Sequence, residues 1–290
     1  MQKAIRTISL VALATATAAA AKNWDNWNGP SNLESLAGSS SALNTPAVDG
    51  CASHSPDGLK IVFNSNRAGT QDLYIATRTS SSEGFGSPQP LPAPVNSSTA
   101  DEFCPTITGD SLYFSSTRNG DIGDLYVSKL GPRGWGTPRP LGNRINTRLM
   151  EESVTIYEDD NGRPVLLFSR RQANGTGGDI YQSADGRPAT LVPGGPHSSA
   201  SDNRPSVTQD GLTIFFDSTR FGTLGGPDIW YATRSNTSEP FGQAIHLGTL
   251  SSAGFDARPY ISGDETFLTF SSSRSGNESP APDMWFATRN

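Results

Sequence analysis

Ile61-Val-Phe-Asn-Ser-Asn-Arg67 followed by Asp72-Leu-Tyr-Ile-Ala-Thr-Arg78 is a pair of strands, and the chain writes this pair five times. The first member recurs as Leu112-Tyr-Phe-Ser-Ser-Thr-Arg118, Val165-Leu-Leu-Phe-Ser-Arg-Arg171, Ile214-Phe-Phe-Asp-Ser-Thr-Arg220 and Phe267-Leu-Thr-Phe-Ser-Ser-Ser-Arg274. The second recurs with its leading Asp at 124, 179, 228 and 283, at spacings of 52, 55, 49 and 55 residues. Upstream stand Pro105-Thr-Ile-Thr108, Pro205-Ser-Val-Thr208 and Pro259-Tyr-Ile-Ser262, most leading into an Asp-Gly turn such as Asp57-Gly58 or Asp210-Gly211. Self-similarity at about 50 residues is the scale of a propeller blade of four short strands.

A fourth element follows in Phe85-Gly-Ser-Pro-Gln-Pro-Leu91, Trp135-Gly-Thr-Pro-Arg-Pro-Leu141 and Phe241-Gly-Gln-Ala-Ile-His-Leu247; only a worn version stands near Leu191. The fifth repeat lacks it, and the same aromatic, Gly, Pro and Leu pattern appears instead at Trp27-Asn-Gly-Pro-Ser-Asn-Leu33. The expected fold is therefore all-β: a five-bladed propeller in one domain, residues 22–290, whose last blade is closed by an N-terminal strand. One blade cannot bury both faces of its sheet, whereas five stacked radially can.

The combination of an acidic residue, a Pro, an Asp-Gly turn, an apolar strand, Ser-x-Arg and Asp-Ile/Leu-Tyr/Trp resembles the WD40-like or TolB-like (PD40) propeller repeats. The likeness covers nearly all of residues 27–290 and implies the fold. Blades carry many activities, so it implies little about function. The α/β domain that precedes the propeller of TolB has no counterpart here, and TolB's partners are not carried over.

Five copies of a residue argue for architecture, since an active site needs one constellation. Arg67, Arg118, Arg171, Arg220 and Arg274, together with Asp72, Asp124, Asp179, Asp228 and Asp283, are read as turn-fixing ion pairs. The Tyr or Trp after each Asp is read as inter-blade core. Three residues before the Pro position stand Asp49, Glu102, Glu151, Asp202 and Asp256, an acidic ring at the start of the innermost strands. It has two readings: carboxylates that cap neighbouring amides, or a cluster with raised pKa values that invites a cation, a proton-donor role or Arg partners. Glu102, Glu151 and Asp202 are the catalytic candidates, and Asp49 and Asp256 the ligand-binding ones. Nearer the Pro, the set Cys51, Cys104, Ser153, Arg204 and Arg258 varies between blades. Arg204 and Arg258 either neutralise Asp202 and Asp256 or grip an anionic or enolic ligand. Cys51 and Cys104 hold equivalent positions on adjacent blades, where a disulfide is a reasonable hypothesis in an oxidising compartment.

Lys3 and Arg6 followed by the apolar run Ile8 to Ala21 read as an export signal cleaved before Lys22, so the protein is expected to be secreted or periplasmic. Four sequons, at Asn96, Asn174, Asn236 and Asn277, could carry glycans in a eukaryotic secretory path. A net charge of −6 with no basic stripe argues against nucleic acid, and no other stretch approaches a membrane span. The 30 Gly and 21 Pro exclude a helical bundle. Three His and two Cys without ligand spacing give no metal site; no phosphate loop, Gly-x-Ser-x-Gly elbow or sialidase-type Ser-x-Asp box is present, and no cofactor is expected.

Three functions remain open. One is binding of a small polar or anionic organic molecule in the central funnel, extending to cofactor-free acid/base or cyclisation chemistry. A second is a monomeric scaffold presenting its loop rim to a protein or glycan. A third is a glycoside hydrolase or glycan lyase using funnel carboxylates.

Overall fold

The computed structural model describes residues 22–172 and 177–289; the expected export signal and the sequon at Asn174 lie outside the described residues. Five separate antiparallel sheets, one per repeat, make five blades. From the axis outward, blade 1 runs Asp49–His54, Lys60–Ser65, Asp72–Thr77 and Gln89–Pro90. The innermost strands of blades 2 to 5 are Glu102–Thr108, Met150–Glu158, Asp202–Val207 and Asp256–Ile261. Their second strands are Ser111–Ser116, Pro164–Arg171, Thr213–Ser218 and Phe267–Ser272. Asn28–Asn32 pairs with Asp283–Thr288 as the outer strand of blade 5, so the N-terminal segment closes the wheel as its sequence pattern requires.

Closure follows from the two-residue period of a strand. Leu73 faces the seam with blade 2 while Tyr74 faces the seam with blade 5; Val62 and its neighbours Ile61 and Phe63 divide in the same way. Each of the five inter-blade seams accordingly holds its own apolar cluster. The seam between blades 4 and 5 is filled from outside the repeats. Trp24 meets Phe215 edge-on at 4.8 Å, Arg289 lies 4.3 Å over Trp24, and Lys22 pairs with Glu265 at 2.7 Å.

The recurring Arg has a different partner from the one its sequence neighbourhood suggests. Arg67, Arg118, Arg220 and Arg274 reach back across the hairpin to the acidic ring, pairing with Asp49, Glu102, Asp202 and Asp256 at 2.5, 2.9, 2.6 and 2.6 Å. In blade 3 the residue in this role is Arg170, on Glu151 at 2.8 Å, and not Arg171. Each guanidinium is also sandwiched against the blade's aromatics, as Arg170 is 4.2 Å over Tyr181. Asp72 and its equivalents are left to other tasks: Asp228 accepts from His246 at 2.8 Å and Asp179 from His197 at 2.7 Å.

Asp283 is fully buried, with Oδ1 lacking a hydrogen-bond partner, and burial, with Asp49, Glu278 and Glu34 adding repulsion, pushes its carboxyl up to about 6. Between about pH 4 and 6 the folded chain then binds the proton that the unfolded chain releases, so ionisation of Asp283 costs stability as pH rises. The variant Asp283→Asn is expected to be about 1–3 kcal/mol more stable than the parent at pH 7.5. That gain should vanish near pH 4; a pH-independent difference in urea midpoints contradicts this assignment.

Candidate functional site

Every innermost strand slips register once against its second strand, between Gly50 and Ser53, Phe103 and Thr106, Glu152 and Thr155, Asn203 and Ser206, and Ala257 and Tyr260. At each bulge one non-glycine residue takes a left-handed backbone: Cys51, Cys104, Ser153, Arg204 and Arg258, with φ between 46° and 61°. Such a conformation costs roughly 1–3 kcal/mol per residue unless its surroundings enforce it. They do. The amide of Cys104 donates to Asn64 Oδ1, that of Arg204 to Ser169 Oγ, that of Arg258 to Asp217 Oδ1 and that of Cys51 to Ser271 Oγ, each acceptor on the second strand of the preceding blade. Re-aimed by the bulge, these five side chains line the axis, so the blade-variable set read from the sequence is the wall of the central channel.

The channel is closed at its waist. The space left between Cys51, Cys104, Ser153, Arg204, Arg258 and Tyr260 is about 20 Å³, room for about one water. Cys51 and Cys104 form a disulfide there, with Cα atoms 4.9 Å apart, and Ser153 Oγ and Glu152 Oε2 lie 3.7 and 3.8 Å from the sulfurs. Removing the bridge by Cys51→Ala with Cys104→Ala is expected to cost roughly 2–4 kcal/mol, since it closes a chain loop of 53 residues. The urea midpoint should fall, and a midpoint equal to the parent's would show the staple to be redundant.

Beyond the waist the channel opens at both ends. The back mouth, toward the end of the innermost strands, holds about 110 Å³ lined by His54, Thr106, Thr155, Val207, Gln209 and Tyr260. Burial pushes His54 down to about 3, so it is a neutral core histidine bonded to Thr269 Oγ1. The front mouth, where the innermost strands begin, holds about 200 Å³ between Asn64, Gln71, Asp101, Phe103, Met150 and the charged group described next.

That group is the departure from five-fold symmetry. Arg204 lies between two buried carboxylates, Glu152 at 3.2 Å and Asp217 at 2.9 Å. Arg171 adds a second contact to Glu152 at 3.0 Å. Arg258 completes the group with a third guanidinium. Burial alone would raise Glu152, but Arg204, Arg171 and Arg258 outweigh it and hold its carboxyl below the usual range. Burial dominates at Asp217 and raises it despite Arg204. Arg204 is held above its ordinary value because the two carboxylates overcome its burial. Arg258 goes the other way: burial, and then repulsion from Arg204, lowers it to about 10, still a cation at neutral pH. Among the described residues no carboxylate lies within ion-pair distance of Arg258, and its Nε and Nη1 are buried without a hydrogen-bond partner. The guanidinium runs over Gly50 of blade 1, where a Cβ would stand 3.1 Å from Nη1. It borders both the waist and the front mouth.

The predicted site residues therefore divide. Arg204 and Arg258 are brought together at the channel, but Arg204 neutralises Glu152 and Asp217 rather than Asp202, and Asp256 belongs to Arg274. Asp49, Glu102, Glu151, Asp202 and Asp256 form the expected ring, but as five separate ion pairs with fully buried side chains, each on the Arg of its own blade. Their oxygens also cap local hydroxyls and amides, as Ser116 and Ser97 do on Glu102. Sequence reasoning passed over Glu152 and Asp217 as members of this group and read Arg171 as a turn-fixing residue, whereas it pairs with Glu152. Among the described residues no group of three or more His, Cys, Asp or Glu could hold a metal ion.

No family model and no curated protein matches the chain. Solved structures do. An endo-arabinanase of glycoside hydrolase family 43 from Bacillus licheniformis superposes with a TM-score of 0.57 at 11% identity, covering 86% of this chain and 95% of that one. The α-L-arabinofuranosidase PaAbf62A from Podospora anserina gives 0.56 at 12% identity, covering 92% and 98%. TolB from Acinetobacter baumannii gives 0.52 at 14% identity, covering 82% of this chain but 53% of that one. Identities this low show the shared fold alone: the chain is a five-bladed β-propeller similar in architecture to TolB and to these hydrolases.

Proposed function

We propose that this propeller is an exported binder of a small organic anion, seated in the front mouth of the channel against Arg258. The observation that carries the reading is the one guanidinium of the group that has no ion pair among the described residues: Arg258, 5.6 Å over the Phe255 ring, borders a cavity of about 200 Å³ that Arg171, Glu152 and Asp101 also line. A fold tolerates a desolvated guanidinium without an ion pair when something is gained by it, and a bidentate grip on a carboxylate or similar group is what a guanidinium offers. Phe103 and Met150 give the mouth apolar walls, while Asn64, Gln71 and Thr117 supply neutral polar groups that can orient a ligand. The disulfide at the waist supports an oxidising compartment, in line with the export signal read in the first 21 residues.

The reading is of binding rather than turnover. A glycosidase needs two carboxylates facing one bond of the substrate. Glu102, Glu151 and Asp202 sit on three blades, each engaged by its own Arg.

Calorimetric titration with acetate, benzoate, inorganic phosphate and the neutral amides of the two acids tests the proposal. The parent should bind at least one anion saturably and neither amide, and Arg258→Gln should lose that binding. Equal affinity in the parent and the variant, or no anion bound by the parent, overturns it.

A further inference from the structure

The geometry points to Asn236 as an N-glycan acceptor, and to Asn96 and Asn277 as sequon asparagines that the fold withholds from that chemistry. The three described sequons look alike in sequence, but their amides do different work. Asn96 accepts from the Leu73 amide at 2.8 Å through Oδ1 and donates to the Leu73 carbonyl at 3.0 Å through Nδ2. This is a repeat device. Asn44 grips both backbone groups of Met284, and Asn146 both backbone groups of Leu125, at matching places in the neighbouring blades. Asn96 therefore fastens a third strand to the segment that enters the next blade, and Asn96-Ser-Ser is a structural motif that happens to spell a sequon.

Asn277 is more fully committed. Its Nδ2 spends both N–H groups on the carbonyls of Ser272 and Ala281, each at 2.8 Å, and its Oδ1 accepts from Trp285 Nε1 at 2.9 Å. No N–H remains to be replaced by a sugar without breaking the loop.

Asn236 is the opposite case. It lies in the loop between Asp228–Thr233 and Ile245–His246, on the back face of the wheel. Its Oδ1 accepts from the amide and hydroxyl of Ser238, the third residue of its own sequon, at 3.1 and 2.6 Å. Among the described residues Nδ2 has only the Ser235 hydroxyl, at 3.4 Å. The carbonyl end of the amide is thus tied to the loop while the nitrogen is the end left for chemistry. In the transfer the donor is a lipid pyrophosphate-linked oligosaccharide. The bond from the sugar C1 to the phosphate oxygen breaks, a bond from C1 to Asn236 Nδ2 forms, and the amide proton leaves with the pyrophosphate. A glycan there stands on the face opposite Arg258 and leaves the front mouth open.

The test is secretion of the full chain from a eukaryotic host, followed by enzymatic deglycosylation in heavy-oxygen water and peptide mapping of the folded product. Asn236 should be recovered as labelled Asp, and Asn96 and Asn277 as unmodified Asn. Asn236→Gln should remove the corresponding mass from the intact protein and leave its melting temperature unchanged. Asn96→Gln should lower the melting temperature and leave the glycan in place. An unmodified Asn236, or sugar on Asn96 or Asn277 in the folded product, overturns the assignment.

Discussion

Replacing Arg258 by Met should make the protein both more stable and unable to bind its anion. The guanidinium is charged at neutral pH, largely desolvated and without an ion pair, and its nearest charged neighbours include another cation, Arg204. Desolvating a charge without an ion pair costs free energy that the Phe255 ring, 5.6 Å away, offsets only in part, and methionine fills nearly the same volume without that penalty. The gain should be about 1–3 kcal/mol, discounted because the residue is not wholly sealed from solvent. For a domain of this size that is a rise of a few degrees in melting temperature, about 2–4 °C per kcal/mol. The bulge conformation survives, because the anchor is the Arg258 amide on Asp217 and not the side chain. Arg258→Lys keeps the charge but loses the fork, and should retain only weak binding. A gain of stability together with a loss of function is the signature of a site held against the preference of the fold. If the methionine variant instead melts several degrees lower, Arg258 is a structural residue and the front mouth loses its claim to a ligand.

The wheel was legible because every blade solves one packing problem with the same residue types, at positions that alternate between two seams. The closing strand was legible because Trp27 to Leu33 repeats a pattern whose place in blade 5 is otherwise empty. The partner of the recurring Arg was not. Sequence proximity pointed to Asp72, five residues on from Arg67, whereas the guanidinium bonds Asp49, eighteen residues back, because antiparallel pairing sets Asp49 opposite Ser65. In blade 3 two adjacent arginines offered themselves, and pairing of Glu151 with Arg170 decides between them. Successive residues of a strand point to opposite faces, so Arg170 joins the ring while Arg171 reaches Glu152. The bulge residues could be named from the variable position near the Pro, but their left-handed backbone, which aims them at the axis, leaves no local signature in Cys, Ser or Arg. Asp217 did have a signal. It stands where the other blades carry Asn64, Ser115, Ser169 and Ser271, small neutral residues that bond the backbone of the next blade. A carboxylate in that series is the one charge the architecture does not ask for.

Asp217 leads to the largest loss expected from a single substitution. Among the described residues, Arg204→Met removes the only guanidinium within ion-pair distance of Asp217 and one of the two on Glu152, leaving two carboxylates buried to about 1% exposure. Breaking a buried ionic group by deleting one side costs about 3–5 kcal/mol, whereas the same change at Arg258 is expected to stabilise. The sign of the pH dependence separates this mechanism from simple loss of packing. With Arg204 gone, burial is less opposed at both acids, so their folded-state values move up, and protonation on acidification restores stability. The deficit of the variant should therefore be largest near pH 8 and shrink as pH falls toward 5. Arg204→Met combined with Asp217→Asn should recover part of the loss at pH 8, because one of the stranded charges is gone while an acceptor for the Arg258 amide remains. A deficit that is the same at both pH values, or a double variant no better than the single, would place the cost in the cavity left by the side chain, and the charged hub would then be no more than tightly packed core.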